Sequence, residues 1–352
     1  MRGQVGIRCT VAALLLVSGC AGLPTDIERS ESHALGDTET TRLGQIGQAM
    51  LKAHPGESGF RPLRNGVDAL LWRMALAATA ERSLDVQYYI WHDGLTGRFF
   101  ANSLLHAADR GVRVRIILDD VGARANDEKL LSLDAHPNIE IRLFNPVASR
   151  SFRGMGMLGD FSRLNRRMHN KSFIADNQRA VLGGRNIGDE YFEAQSEVAF
   201  GDLDVVTVGP GVTDVSGAFD RYWNAPASIP IAALLGRSGE TASLDALRAA
   251  LAAFIESQRD SPYVTLARSQ LVEKLAAGND GFFWGKAHLL YDDPAKISRA
   301  PEDTEGHLLP QFANLGSQVR NELLIVSPYF VPGDSGVAWL LSLIHISEPT
   351  RH

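Results

Sequence analysis

The residues best equipped for chemistry in this 352-residue chain fall in one short stretch, His169-Asn170-Lys171-Ser172-Phe173-Ile174-Ala175-Asp176, followed by Gly183-Gly184-Arg185-Asn186. As a pattern the stretch reads H-x-K-x4-D-x6-G-G-x-N. Exchange at a phosphodiester without a metal needs a nucleophile, positive charge on the nonbridging oxygens and a proton for the leaving alcohol. His169 can attack phosphorus when its ring is neutral and its far nitrogen is held by an acceptor. Lys171 lies two residues on, so along an extended strand it projects to the same face and can set its ammonium on the phosphoryl oxygens. Asn186 can donate amide hydrogen bonds to those oxygens, and Gly183 and Gly184 let the backbone approach with no side chain in the way. A lone histidine is an ordinary surface or core residue and a lone Gly-Gly is a turn. Their occurrence together at fixed spacing favours the chemical reading.

Positioning these groups falls to an α/β alternation that begins near Arg61. Apolar residues at helical spacing predict a helix over 68–80, and Ser83–Trp91 reads as a strand rich in aromatic and β-branched residues. An amphipathic helix follows over 97–110, with Gly111 as its stop. Strands are expected at 112–118 and 139–144, with a short helix at 128–133 between them. Strand, helix, strand, helix, strand at this pitch implies right-handed crossovers, and hence a mixed, mostly parallel sheet flanked by helices. Lys171–Ala175 and Arg179–Leu182 read as two short strands around a turn at Asp176-Asn177, and 204–208 as another strand. Residues 212–224 and 231–276 are predicted largely helical and are read as scaffold.

Composition sets broad limits. At 45% hydrophobic and 22% charged, the chain is long enough for one large or two medium domains. Its net charge of -6 argues against a dedicated nucleic-acid binder, which carries a basic surplus. At the N-terminus, Arg2 and Arg8 precede an apolar run, Val11 to Val17, too short to span a bilayer. The run ends in Val17-Ser18-Gly19-Cys20, which resembles a bacterial lipobox. Residues 1–20 are therefore expected to be a lipoprotein signal peptide, with Cys20 the lipidated first residue of the mature chain. Ala21 after the cysteine favours the outer membrane, facing the periplasm. The two cysteines, Cys9 and Cys20, would then leave no free thiol, as suits an oxidising compartment. Residues 21–60, polar and with little periodicity, are expected to be a tether.

At the His169–Asn186 pattern the chain resembles the phospholipase D superfamily, over about 61–340. The runs Asp85-Val-Gln-Tyr-Tyr-Ile-Trp, Arg166-Arg-Met-His-Asn-Lys-Ser, Gly183-Gly-Arg-Asn-Ile-Gly-Asp-Glu-Tyr-Phe and Ser327-Pro-Tyr-Phe-Val-Pro are most similar to the bacterial cardiolipin synthase C branch. The resemblance implies a phosphatidyltransferase, or a hydrolase of the same mechanism, acting on membrane phospholipids without metal or other cofactor. It makes His169 the nucleophile that forms a phosphohistidine, Lys171 and Asn186 the phosphate ligands, and Asp176 mostly structural, ordering the loop behind the site. An acid further along orients the histidine in this family. Asp204, heading a short strand, fits best, with Glu197 and Asp202 as rivals. Arg163, Arg166 and Arg167 are either a solvated basic face or an anionic-headgroup patch. Asp119-Asp120, which could pass for a metal pair, is read as loop capping.

The resemblance also divides the chain into a first phospholipase D-like domain at 61–210, a helical connector at 211–310 and the start of a second such domain at 311–340. Asn321–Val331 echoes Arg82–Trp91, as a duplicated unit would. Only one H-x-K-x4-D occurs, whereas two meet at one site in the superfamily. Residues 341–352 resemble a translated transposase-type adapter, so native sequence is expected to stop near Trp339 or Leu340. The C-terminal half-domain that normally completes the site, with the second motif, would lie beyond. A catalytically silent fragment is the alternative that follows.

Overall fold

The computed structural model describes Leu23 and residues 27–122, 127–148, 150, 166–194, 199–236, 243–277, 281–300, 303–325 and 332–347. The signal segment with Cys20, and also Arg163, Glu197 and 326–331, lie outside the described residues.

In chain order the elements are α1 (Arg42–Leu51), β1 (Ser58–Leu63), α2 (Gly66–Thr79), β2 (Ser83–Tyr88), α3 (Leu95–Asp109), β3 (Arg113–Asp119), α4 (Asp127–Asp134) and β4 (Ile139–Phe144). Then come β5 (Ser172–Ala175), β6 (Arg179–Gly183), β7 (Asp204–Val208), α5 (Pro210–Trp223), β8 (Ser228–Pro230), α6 (Ile231–Leu235), α7 (Leu244–Ser257) and α8 (Pro262–Ala277). The last are β9 (Phe283–Gly285), a 3-10 turn at Pro294–Ile297, α9 (Leu308–Gly316) and α10 (Gly333–Ser347), which runs through the segment read as an adapter.

All nine described strands join one mixed sheet in the order β8-β4-β3-β2-β5-β6-β7-β1-β9. Helices flank it, as the strand–helix alternation implies. Between named strands, parallel pairing joins only β2, β3 and β4, and every other strand pair is antiparallel. The expected mostly parallel sheet is thus corrected. Crossovers through α3 and α4 make the parallel trio, and the tight β5–β6 hairpin cannot extend it.

The strands alternate their side chains between two cores. Leu84, Val86, Tyr88, Val114, Ile116 and Phe173 face the cluster that includes α2 and α3 residues. Ile117, Phe144 and Ile174 face Val215, Phe219, Tyr222 and Trp223 of α5. Each such side chain, fully buried, contributes roughly 1.5–3 kcal/mol of transfer free energy.

Two boundaries move. The predicted tether contains α1 and the first half of β1, and its upstream part is pinned to the body. Arg115, itself buried, donates to the Ser32 carbonyl at 2.8 Å, and Arg142 to the Ser30 carbonyl at 2.6 Å. The predicted connector supplies both edge strands, β8 and β9. Residues 321–325 form no strand, so the echo of β2 has no counterpart among the described residues.

Candidate active site

Because β5 runs antiparallel to β2, the start of β5, the end of β6 and the start of β7 share one edge of the sheet with the C-terminal ends of β2 and β3. His169, Lys171, Asn186 and Asp204 all lie along that edge. The lead into β5 is fastened by Asp119 at the end of β3. Its Oδ2 accepts from the Met168 amide at 2.9 Å, and its Oδ1 accepts from Arg167 Nε at 2.9 Å. The same Oδ1 accepts from the Val121 amide, so Asp119 caps its own loop and positions the motif together. Asp120 is likewise occupied, accepting from the Val147 amide and from Arg150.

His169 has an accessible ring, whereas Lys171 is buried. Lys171 Nζ lies 3.0 Å from His169 Nδ1 and donates to the His169 carbonyl at 2.7 Å. The ring stands 4.9 Å from that of Tyr89, and the same ammonium sits 5.6 Å from the Tyr89 centroid. Partial burial, reinforced by the ammonium groups of Lys171 and Lys296, pushes the His169 pKa down to about 4. Burial brings Lys171 down to about 8, against the opposing pull of Asp202, Asp119 and Asp204. At neutral pH the pair is therefore a neutral imidazole beside a cation, the protonation states that nucleophilic attack on a phosphodiester requires.

Asn186 is buried, and its Oδ1 accepts from the Ile90 amide at 3.1 Å, next to Tyr89. That bond fixes which end of the side-chain amide is the acceptor and leaves the NH2 end as donor toward the edge. Gly183 and Gly184 do a different job from the one predicted. A Cβ on Gly183 would lie 1.9 Å from Asp204 Oδ1, and one on Gly184 2.0 Å from Asp202 Oδ1. The close approach they permit is to the chain's own carboxylates.

Asp204 does not orient His169. It is fully buried and pairs with Arg73 of α2 at 2.9 Å, and its Oδ1 accepts from the Arg185 amide at 3.3 Å. Of the predicted rivals, Glu197 falls outside the described residues, and Asp202 packs against Gly184 and acts electrostatically on Lys171.

Asp176 lies at the opposite edge, beyond the far end of β5 from His169. Its carboxylate accepts from the amides of Glu81, Arg82 and Ser83, the last two at 2.8 and 3.0 Å, and so anchors the start of β2. It therefore has a structural role, with no place at the reacting centre. With Asn177 it forms the two-residue β5–β6 turn, both at φ 51°, closed by the Gln178 amide on the Ala175 carbonyl. Arg166 and Arg167 are internal fasteners as well. Arg166 donates to the carbonyls of Lys296 and Arg299, and Arg167 to Asp119 and the Asn145 carbonyl.

Sequence reasoning missed Tyr89 and Lys296. Tyr89 was within reach, because adjacent aromatics at a strand end face opposite sides and Tyr88 is a core residue. Lys296 carries no local signal.

A histidine–lysine pair and an asparagine amide thus stand together at one edge of a mixed sheet, an arrangement with the groups that phosphodiester chemistry uses. Residues 74–223 match the family model described as "Cardiolipin synthase, PLD-like domain", so this stretch is similar to a phospholipase D-like domain. The chain is 43% identical over 312 residues to cardiolipin synthase C of Escherichia coli (strain K12), covering 86% of this chain and 64% of that protein. It is 32% identical over 325 residues to an uncharacterized protein of Helicobacter pylori (strain ATCC 700392 / 26695), covering 91% of this chain and 64% of the other. The chain thus spans 64% of the length of these relatives. Among solved structures, phosphatidylserine synthase of Haemophilus influenzae Rd KW20 aligns with a TM-score of 0.49 at 13% identity, covering 86% of this chain and 64% of that one.

Proposed function

We propose that this site carries out phosphatidyl transfer of the cardiolipin synthase type through a phosphohistidine at His169. The observation that carries the reading is the neutral, accessible His169 ring with the Lys171 ammonium on its Nδ1. With Nδ1 accepting from lysine, the ring proton sits on Nε2, which is a resting arrangement. An arriving phosphodiester offers Lys171 a better acceptor. The ammonium moves to a phosphoryl oxygen, the ring proton shifts to Nδ1, and the Nε2 lone pair is released for attack. The Nε2–P bond forms as the bond from phosphorus to the headgroup oxygen breaks, and the departing alkoxide takes a proton from water at the exposed side of the ring. Asn186 Nδ2 and Lys171 hold the nonbridging oxygens through the transition state. A hydroxyl of a second phospholipid then attacks phosphorus, giving its proton to water as the Nε2–P bond breaks and the neutral histidine is restored. With phosphatidylglycerol in both roles, two lipids yield one cardiolipin and one glycerol.

Hydrolysis is the second reading, and the exposure of the His169 ring favours it, because water can reach the intermediate. The test is to incubate the protein with phosphatidylglycerol labelled in its phosphate, quench in base, and look for label on His169 and on the products. Label on His169 with cardiolipin supports transfer, and with phosphatidic acid it supports hydrolysis. Absence of label on His169, with His169→Gln equally active, refutes the histidine mechanism. The lipid substrates match an anchor at Cys20 in the outer membrane, facing the periplasm. Loss of membrane association in Cys20→Ala would support that placement, and retention would refute it.

A further inference from the structure

Residues 289–299, expected to be connector, are built into the site. Leu289, Tyr291 and Ile297 pack on the core cluster that contains Met168, the residue before the nucleophile. Arg166 binds the Lys296 and Arg299 carbonyls, the latter at 2.6 Å. The Tyr222 hydroxyl donates to the Asp292 carbonyl at 2.8 Å and also bonds Asn170, the residue after the nucleophile. Residues 289–299 thus form a strap stapled on both sides of His169, through Arg166 before it and through Asn170 by way of Tyr222. It carries a cation inward. The Lys296 side chain is only 12% exposed, pairs with Asp292 Oδ2 at 2.5 Å, and acts electrostatically on the His169 ring.

An ordinary solvated ion pair does not account for this arrangement. Asp292 is held independently, because its Oδ1 accepts from the Leu308 amide at the start of α9, at 2.7 Å. It presents a fixed carboxylate that aims the lysine. An ammonium has three donors, and one satisfies Asp292. The other two can hold a further anion.

We propose that Lys296 is a second phosphate-binding residue of the His169 site, gripping a nonbridging oxygen of the lipid phosphodiester together with Lys171. The inference rests on the phosphodiester reading above and adds a ligand from outside the signature. Its role is to bind, with Asp292 as its positioning residue.

The experiment uses the 352-residue protein with ring-labelled histidine, followed by NMR. It is titrated separately with inorganic phosphate and with a short-chain phosphatidylglycerol below its micelle concentration. Lys296→Met should weaken binding of the diester about tenfold or more, as loss of a charge-assisted hydrogen bond does. It should also raise the titration midpoint of His169, while Lys296→Arg stays close to the parent. The staple is made by the Lys296 carbonyl, so Lys296→Met should keep the parental melting temperature. Unchanged diester affinity in folded Lys296→Met overturns the proposal, as does weakening toward inorganic phosphate alone, which would make this a free-phosphate site. If neither probe shifts His169 in the parent protein, the phosphodiester reading fails as well. If the parent responds and Lys296→Met responds identically, only the role of Lys296 fails.

Discussion

Asp204→Asn should cost stability before it costs chemistry, contrary to the role its position in sequence suggests. Asp204 and Arg73 are 2.9 Å apart with side-chain exposures of 0% and 1%, so neither can recruit water when the other is lost. The remaining Arg73 partners are neutral, the Tyr88 hydroxyl at 2.7 Å and the Ala69 carbonyl at 2.8 Å. Removing the carboxylate charge leaves a buried guanidinium uncompensated, a loss of about 3–5 kcal/mol in comparable cases. Asparagine can still accept from the Arg185 amide, which places the expectation near the lower end, about 3 kcal/mol. At about 2–4 °C per kcal/mol, the melting midpoint should fall by roughly 10 °C. Urea denaturation monitored by tryptophan fluorescence measures the same loss as a lower midpoint at unchanged slope. Arg73→Met should be about as damaging, and Arg73→Met with Asp204→Leu should recover most of the loss, because a buried pair replaced by apolar groups is close to neutral. A parental midpoint for Asp204→Asn, with labelling of His169 abolished, would refute the structural assignment and restore Asp204 as the acid behind the nucleophile.

Three further outcomes follow from the same geometry. Labelling of His169 should rise as pH increases through about 4, where the ring loses its proton, and fall as pH increases through about 8, where Lys171 loses its own. A rising limb near the ordinary histidine value, about 6.5, would contradict the environment described for the ring. Asn186→Asp keeps an acceptor for the Ile90 amide but replaces the donor with an anion, so labelling should drop about 10²–10³-fold in protein that still melts cooperatively. An undiminished rate would remove Asn186 from the phosphate site. Gly183→Ala should be far more destabilising than Gly184→Ala in thermal melts, since the first Cβ collides with the fully buried Asp204 and the second with Asp202, which is partly exposed and can swing away. Equal melting temperatures would contradict this packing.

Most strands were legible because β2, β3 and β4 combine β-branched residues with helices at regular pitch, a pattern that depends only on neighbours. Where the reading failed, distant pairing decides. Strand β1 contains Gly59 and Pro62, both poor strand formers, and is a strand because it is zipped between β7 and β9. Helix α1 holds Gly44 and Gly47, which argue against helix locally. A Cβ on Gly47 would lie 2.8 Å from Arg179 Nη1, so the glycine serves a contact with β6. Asp204 was misassigned for the same reason, because nothing near it in sequence announces an arginine arriving from α2.

The signature itself shows what a local pattern records. The four residues between Lys171 and Asp176 are β5 in full, and the six between Asp176 and Gly183 are the rest of the turn and all of β6 except Gly183. H-x-K-x4-D-x6-G-G-x-N is thus the outline of one β-hairpin. Its open end carries His169, Lys171 and Asn186 at the edge where phosphate can bind. Its closed end carries Asp176, committed to the amides that begin β2. The aspartate belongs to the same pattern because a hairpin has two ends, and fixing the closed one sets the register that brings Lys171 and Asn186 to the same edge. Any ligand supplied from outside the hairpin, as Lys296 is from the strap, leaves no trace in such a pattern and can be found only in three dimensions.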